Sequence, residues 1–431
     1  MPNNVYQELA NRGFLYQVTD ETAATQMLSA GPVHFYVGFD PTADSLHIGH
    51  LLPIMAMRLL QRAGHVPIVL VGGATALIGD PSGKQEARPI LTRESVADNA
   101  AALRRQLGRF LDIGEGRAVF VNNADWFAEM GFLDFMREIG HRFSVNRMLT
   151  AESVRQRLAS DSGISYLEFS YMLLQAYDFV VLHRDHGCRL QLGGQDQWGN
   201  IVAGVDLVRR MAQTEVHGVT LPLLTDSSGQ KFGKTAAGAV WLDPQRTPVF
   251  AYYQFWRNTA DTDVAQLLKY FTSLPTAECE ALGALPAPAI NRAKEILAFE
   301  ATALAHGREE AVRAYLAAGT EFGFADADNR IPTTSTVRNI GVAARTEALP
   351  TFSIPRNSLD GNGLWIVKLF TDAGLCKSGS EARRLIAGGG AYLGDVRIED
   401  PDRHLTAADL PDGAALLRAG KKQVRRIVVA G

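Results

Sequence analysis

An apolar segment at residues 33–39, Val33-His34-Phe35-Tyr36-Val37-Gly38-Phe39, reads as a short strand and stops at the turn Asp40-Pro41-Thr42. The period then changes. Ile48, Leu51, Leu52, Met55 and Leu59 recur at the spacing of one helix face. A second apolar strand follows at 66–71, after Gly64. The unit is strand–helix–strand, for which a right-handed crossover is expected. Ligands of such sheets bind beyond the carboxyl ends of the strands. His47 and His50 therefore fall near a site, three residues apart, at a helix start whose backbone N–H groups favour phosphate. Taken alone, the tetrapeptide His47-Ile48-Gly49-His50 reads equally well as helix caps or surface histidines. Pro53 is expected at an early helical position, where its missing N–H matters least.

Strands, helices and Gly-rich turns alternate to about residue 240. This predicts an α/β domain built on a Rossmann-like, doubly wound parallel sheet. Residues 119–121 add a strand, and Asn122-Asn123-Ala124-Asp125-Trp126 leads from it into a helix. Beyond 240 the period is helical at 263–271, 289–306 and 308–318, the second segment being rich in the strong helix formers Ala and Glu. Periodicity is lost at 326–334 and 350–355, and short mixed elements fill the last seventy residues. The expected organisation is a catalytic α/β domain over 1–240, an α-helical domain over 241–325, a linker over 326–360 and a small α+β domain over 361–431.

The chain has 431 residues, 46% of them hydrophobic, enough for two or three domains with separate cores. No apolar run reaches the length of a membrane span. The N-terminus Met1-Pro2-Asn3-Asn4 reads as no signal peptide, and a cytoplasmic location is expected. Cys188, Cys279 and Cys376 are too scattered for a disulfide framework or a zinc site, which fits a reducing compartment. The net charge is −3, so the chain as a whole has no basic surface. Residues 362–431, however, carry 11 Lys and Arg against 8 Asp and Glu, a local balance of +3. A basic terminal module on an acidic body hints at contact with RNA and gives no reason to expect DNA.

Several polar groups stand out. Asp80-Pro81-Ser82-Gly83-Lys84 follows Val71-Gly72-Gly73-Ala74-Thr75; it has neither the phosphate-loop nor the dinucleotide spacing. Tyr171, Gln175 and Asp178 are spaced i, i+4 and i+7 and share one helical face. Such a stripe is ordinarily a solvated face. Gly194-Gln195-Asp196-Gln197 has the residues of a simple turn. Lys231 and Lys234 flank glycine in a Ser- and Gly-rich loop, where lysines are usually just solvated charges.

In order and in combination, these segments resemble bacterial tyrosyl-tRNA synthetases, which are class I aminoacyl-tRNA synthetases. The match runs through Tyr36-x-Gly38-Phe39-Asp40-Pro41-Thr42 to His47-Ile48-Gly49-His50, then Val71–Thr75, Gly79–Gly83, Phe169-Ser170-Tyr171-Met172, Gln175-Ala176-Tyr177-Asp178 and Gly194-x-Asp196-Gln197-Trp198-Gly199-Asn200. Lys231-Phe232-Gly233-Lys234-Thr235 stands where that class has its second signature loop. The resemblance implies that tyrosine is activated with ATP to tyrosyl-adenylate, releasing pyrophosphate, and is then passed to the terminal ribose of tRNA(Tyr).

The resemblance also implies residue roles. Tyr36 and Asp178 would bond the substrate phenol, while Tyr171, Gln175 and Asp80 would hold its α-ammonium. Asp196 would bind the ribose, with His50 nearby, and Gly38, Asp40, Gly194 and Gln197 would border the adenylate. Thr42 and His47 would face the γ-phosphate. Lys84, Arg88, Lys231, Lys234 and Thr235 would close on the leaving pyrophosphate. Magnesium is expected to arrive with ATP, without a dedicated protein site. The residue types suit the reaction, because an ionised carboxylate attacking phosphorus needs alignment and charge stabilisation but no enzyme nucleophile. Val37 departs from the cysteine of many relatives and cannot donate a hydrogen bond to the ribose.

By the same resemblance, the helical region is an anticodon-binding domain and the tail is an RNA-binding fold of the ribosomal S-four type. Lys377, Arg383, Arg384, Lys421, Lys422 and Arg425 are its expected RNA contacts. A homodimer formed through 132–150 is expected. The competing readings are a tryptophanyl-type synthetase, a synthetase-like paralogue that charges no tRNA, and a purely RNA-binding or structural protein.

Overall fold

The computed structural model describes residues 4–82, 91–161, 163–225, 232–235, 238–341, 351–394, 396–410, 413–420 and 423–430, with Lys234 and Thr235 described by their backbone alone. Two compact units emerge. One comprises Met1–Pro248 with Thr262–Glu280, the other Val249–Asp261 with Ala281–Gly431. The units are interleaved along the chain, so the expected cut after residue 240 falls inside the first unit. A physical reason lies in Arg12. Its buried guanidinium donates to the carbonyls of Lys269, Thr272 and Leu274 and so closes the end of the helix Val264–Phe271.

The first unit is built on a six-stranded sheet of β1 (Gln17–Val18), β2 (His34–Phe39), β3 (Val66–Val71), β4 (Val119–Asn122), β5 (Cys188–Gly194) and β6 (His217–Leu221). Their spatial order is β1-β6-β5-β2-β3-β4, with β1 antiparallel and the rest parallel. The chain winds outward from β2 through β3 to β4, then returns to β2's other side for β5 and β6. The strand order therefore reverses at β2, and a crevice opens beyond its carboxyl end. The doubly wound parallel sheet expected from the sequence is present, with one antiparallel strand added at its edge.

The helix Ile48–Arg62 connects β2 to β3 and buries Ile48, Leu51, Leu52 and Met55, four of the five residues that set its period. Pro53 is its sixth residue, not one of the first turn. The expectation of a harmless position is corrected, because the Gly49 carbonyl loses the donor that residue 53 would have supplied. The helix Tyr166–His186 is started by a reciprocal cap between Ser165 and Glu168 and ended by Gly187 in the left-handed region. Glu168 is also paired with Arg157 at 2.6 Å, and both side chains are buried. This pair joins the helix start to the preceding helix Glu152–Leu158, from which Arg157 also donates to the Gly163 carbonyl.

After β6 come the two short strands β7 (Lys234–Thr235) and β8 (Gly238–Ala239), paired antiparallel. In the second unit the helices Val249–Arg257, Ile290–His306 and Arg308–Phe322 pack together around a fully buried Arg292, which is bonded to Glu295 and to the Tyr315 hydroxyl. The helix Val249–Arg257 lies in the stretch expected to be helical, and the other two start within a residue of the expected positions.

The remainder of the second unit has its own apolar core, from Ile354 to Ile427. It contains β9 (Thr351–Pro355), β10 (Leu364–Trp365), β11 (Ala391–Leu393), β12 (Val396–Arg397), β13 (His404–Leu405), β14 (Ala414–Ala419) and β15 (Gln423–Ala430). Five of these form a sheet in the order β12-β11-β14-β15-β9. β9 lies within the stretch expected to be linker, yet it pairs parallel to β15 over five residues. Residues 335–340 of that stretch are also structured: Ser335 donates to Glu300 at 2.6 Å, and Val337 is buried.

Candidate active site

The crevice beyond β2 is a cavity of about 550 Å³. It collects Tyr36 and Gly38 from β2, Asp40 and Thr42 from the following turn, and His47 and His50 from the helix start. Asp80 comes from the Asp80–Ser82 turn, Tyr171, Gln175 and Asp178 from the helix Tyr166–His186, and Gly194, Asp196 and Gln197 from the end of β5. Every expected tyrosine- or ATP-binding residue whose side chain is described thus lines one cavity. The polar stripe Tyr171, Gln175 and Asp178 faces this cavity, not solvent. Lys84, Arg88 and Lys231 lie outside the described residues. Lys234 and Thr235 are placed only by the pairing of their backbones with Ala239 and Gly238.

At one end of the cavity, Asp178 is 1% exposed. Its carboxylate accepts from Asn123 Nδ2 at 3.2 Å and from Trp126 Nε1 at 3.0 Å. Burial pushes its pKa well above the ordinary carboxylate range, and the two donors oppose that shift. Tyr36 is equally buried, and its hydroxyl has no hydrogen-bond partner among the described residues. Burial, then the nearby Asp178, push the Tyr36 phenol up as well. A buried hydroxyl left unpaired beside a buried carboxylate is costly unless a bound group satisfies it.

A chain of bonds continues from this end. Asn123 Nδ2 donates to Thr75 Oγ1 at 3.0 Å, Thr75 Oγ1 to Asp40 Oδ1 at 2.7 Å, and Tyr171 Oη to Asp40 Oδ2 at 2.9 Å. On the other wall Gln197 Nε2 donates to Asp80 Oδ2 at 2.7 Å. Asn200 Nδ2 donates to Gln175 Oε1 and Gln197 Oε1, both at 3.1 Å. Burial, then Asp40 and Asp80, push the Tyr171 phenol well up. The concentration of carboxylates that does this is an environment that favours a cation.

The glycines of Val71–Thr75 are explained by this network. A Cβ at Gly72 would lie 2.0 Å from Asp40 Oδ1 and 2.3 Å from Thr75 Oγ1, and one at Gly73 would lie 2.3 Å from Asn122 Oδ1. Both positions let a side chain bond where a methyl group would stand.

His47 and His50 cap their helix and line the cavity at once. His47 Nδ1 accepts from the Gly49 N–H, and His50 Nδ1 accepts from the His47 N–H, each at 3.1 Å. With both Nδ1 atoms accepting, the neutral rings carry their proton on Nε2, which makes each a donor to an anionic ligand. Capping the helix and lining the cavity are therefore not alternatives here.

Sequence reasoning did not assign Thr75, Asn123, Trp126 or Asn200. All four lie inside segments with a sequence pattern, but each has a partner in the site 25–55 residues away, and no spacing rule links those pairs. In the second unit Arg383 and Arg384 are exposed on the helix Gly379–Ala387, which Ser378 caps, and Lys377 is exposed just before it. Arg425 is half-buried on β15, opposite the fully buried Leu417 of β14. Lys421 and Lys422 lie outside the described residues.

A family model described as class I tRNA synthetases (W and Y) matches residues 28–323. The tyrosine–tRNA ligase of Desulfatibacillum aliphaticivorans is 48% identical over 430 residues, covering 100% of both chains. That of Gluconobacter oxydans is 47% identical over 420 residues, 96% of each. Among solved structures, a C-terminally truncated mitochondrial tyrosyl-tRNA synthetase of Aspergillus nidulans superposes with a TM-score of 0.66 at 31% identity, covering 73% of this chain and 93% of that one.

Proposed function

We infer that this chain, which belongs to the class I tRNA synthetases of the tryptophan and tyrosine family, is a tyrosine–tRNA ligase. The carrying observation is the end of the cavity formed by the unpartnered Tyr36 hydroxyl and the Asp178 carboxylate. A phenol O–H satisfies both, donating to Asp178 and accepting from Tyr36. An indole N–H can only donate, so tryptophan would leave Tyr36 unpaired.

The reaction has two displacements. The tyrosine carboxylate attacks the α-phosphorus of ATP, a carboxylate–phosphorus bond forms, and pyrophosphate leaves. A terminal ribose hydroxyl of tRNA(Tyr) then attacks the tyrosyl carbonyl, and AMP leaves with the bonding electron pair. Asp80, with Tyr171 and Gln175, holds the substrate ammonium in the carboxylate-rich part of the cavity. Asp196 binds the ribose beside His50, and Gly38, Gly194 and Gln197 border the adenylate. Thr42 and His47 donate toward the far phosphates, and Lys84, Arg88, Lys231, Lys234 and Thr235 supply charge to the departing pyrophosphate. Such contacts accelerate activation only as far as they strengthen in the transition state. Magnesium would come with ATP, held mostly by phosphate oxygens and water, and would neutralise charge on the phosphates.

The helices of the second unit read the anticodon, and its S-four-like terminal sheet with the helix Gly379–Ala387 binds RNA through Lys377, Arg383, Arg384, Lys421, Lys422 and Arg425. Dimerisation through 132–150 is supported by the exposure of Phe132 and Leu133 at 69% and 73%. A cytoplasmic location agrees with the reducing environment suggested by three free cysteines. None of the described helices is long and apolar enough to cross a membrane. The test is ATP–pyrophosphate exchange with each of the twenty amino acids: tyrosine should drive it, and exchange driven by another amino acid in its place would overturn the assignment.

A further inference from the structure

Where His47 and Trp241 line the cavity, one cluster of contacts is not accounted for by the substrate roles above. The segment that follows β8 runs antiparallel to the one entering the helix Ile48–Arg62. Ile48 N donates to the Val240 carbonyl at 3.0 Å, Leu242 N donates to the Leu46 carbonyl at 2.8 Å, and His47 and Trp241 face each other in a β-bridge. The His47 ring centroid lies 4.0 Å from that of His50 and 5.9 Å from that of Trp241, the latter in an edge-to-face arrangement.

A turn organised on Asp243 then folds Arg246 back over Trp241, with the guanidinium carbon 3.5 Å from the ring centroid. Arg246 also pairs with Asp44 at 2.6 Å, three residues before His47. Asp44, Arg246, Trp241 and His47 thus close a ring of contacts around the helix start. An exposed ion pair adds little stability by itself. What it fixes here is the orientation of the guanidinium on the indole.

We propose that Trp241 and Arg246 are a positioning pair for the activation step. They hold the end of the β7–β8 hairpin against His47, so that the Lys234 strand and the His47 donor act on the same phosphate end. The proposal rests on the synthetase reading, and on Lys234 acting at the pyrophosphate. A displacement of about 1 Å in such an arrangement costs on the order of a hundredfold in rate.

The experiment measures single-turnover tyrosyl-adenylate formation and tyrosine binding by equilibrium dialysis. Trp241→Ala and Arg246→Ala should each slow activation roughly tenfold or more while leaving tyrosine affinity within about twofold. Trp241→Phe, which keeps a ring, should recover most of the rate. In a Lys234→Ala background the loss from Trp241→Ala should largely vanish, because the contact it aligns is gone. Arg246→Ala, whose side chain is 36% exposed, keeps the test open if Trp241→Ala does not fold. Wild-type rates in folded Arg246→Ala overturn the proposal, as does full additivity with a slow Lys234→Ala. A Lys234→Ala enzyme with wild-type activation would instead remove the role given to Lys234.

Discussion

Trp126 fixes Asp178: its indole N–H donates to the carboxylate at 3.0 Å, next to the Tyr36 hydroxyl that has no partner among the described residues. The carboxylate is thereby aimed before any ligand arrives, and the hydroxyl supplies the second half of a recognition pair. Tyr36→Phe should cost tyrosine a few kcal/mol or less in transition-state binding and phenylalanine almost nothing, because only the phenol loses a bond. The check is kcat/KM for pyrophosphate exchange with both amino acids. An unchanged ratio would mean Tyr36 does not meet the phenol.

Gly72 is the site of a second prediction. Its missing Cβ leaves room for Asp40 Oδ1, and the other oxygen of that carboxylate, Oδ2, accepts from the Tyr171 hydroxyl. Gly72→Ala should displace that carboxylate and slow activation roughly tenfold to a hundredfold with the fold retained by circular dichroism. Gly38→Ala offers a contrast, since among the described residues, its chain neighbours aside, the nearest atom to its Cβ would be Leu70 Cδ2 at 3.9 Å. Loss there would report on the ligand. Normal activation by Gly72→Ala would show that Asp40 can move without consequence.

The elevated Asp178 pKa makes stability depend on pH. A carboxyl group whose folded pKa lies above its unfolded value binds more protons when folded, so its contribution to stability falls as pH rises from the unfolded value through the folded one. Asp178→Asn cannot ionise and retains an acceptor for Asn123 or Trp126. Its melting temperature relative to wild type should therefore climb from pH 4 upward, while activity with tyrosine falls. A pH-independent difference in melting temperature would contradict an ionising, desolvated Asp178.

The pairing of β9 with β15 decides where the tail can be removed. Ending the chain at residue 341 takes away the whole terminal sheet, whereas a cut at 356 would leave β9 without its partner. The shorter protein should keep tyrosine-dependent pyrophosphate exchange within a few-fold and lose tRNA charging by about tenfold or more, since phosphate contacts dominate RNA affinity. Charging at the wild-type level would show that the tail is not an RNA-binding module.

The sequence by itself determined the elements whose causes are local. The strand 33–39 and the helix from Ile48 are visible because burial imposes a period of two or 3.6 on neighbouring residues. The stripe of Tyr171, Gln175 and Asp178 is visible for the same reason, though not the direction it faces. The motifs determined the family. Only the tertiary structure decided what depends on distant partners: that Asn123 and Trp126 serve Asp178, that Gly72 makes room for Asp40, and that β9 belongs to the terminal sheet. It also decided that residues 262–280 return to the first unit, where Arg12 caps their helix from more than 250 positions away. A hydrogen bond requires proximity in space, and proximity between distant positions comes from strand order and helix packing, which no local pattern encodes.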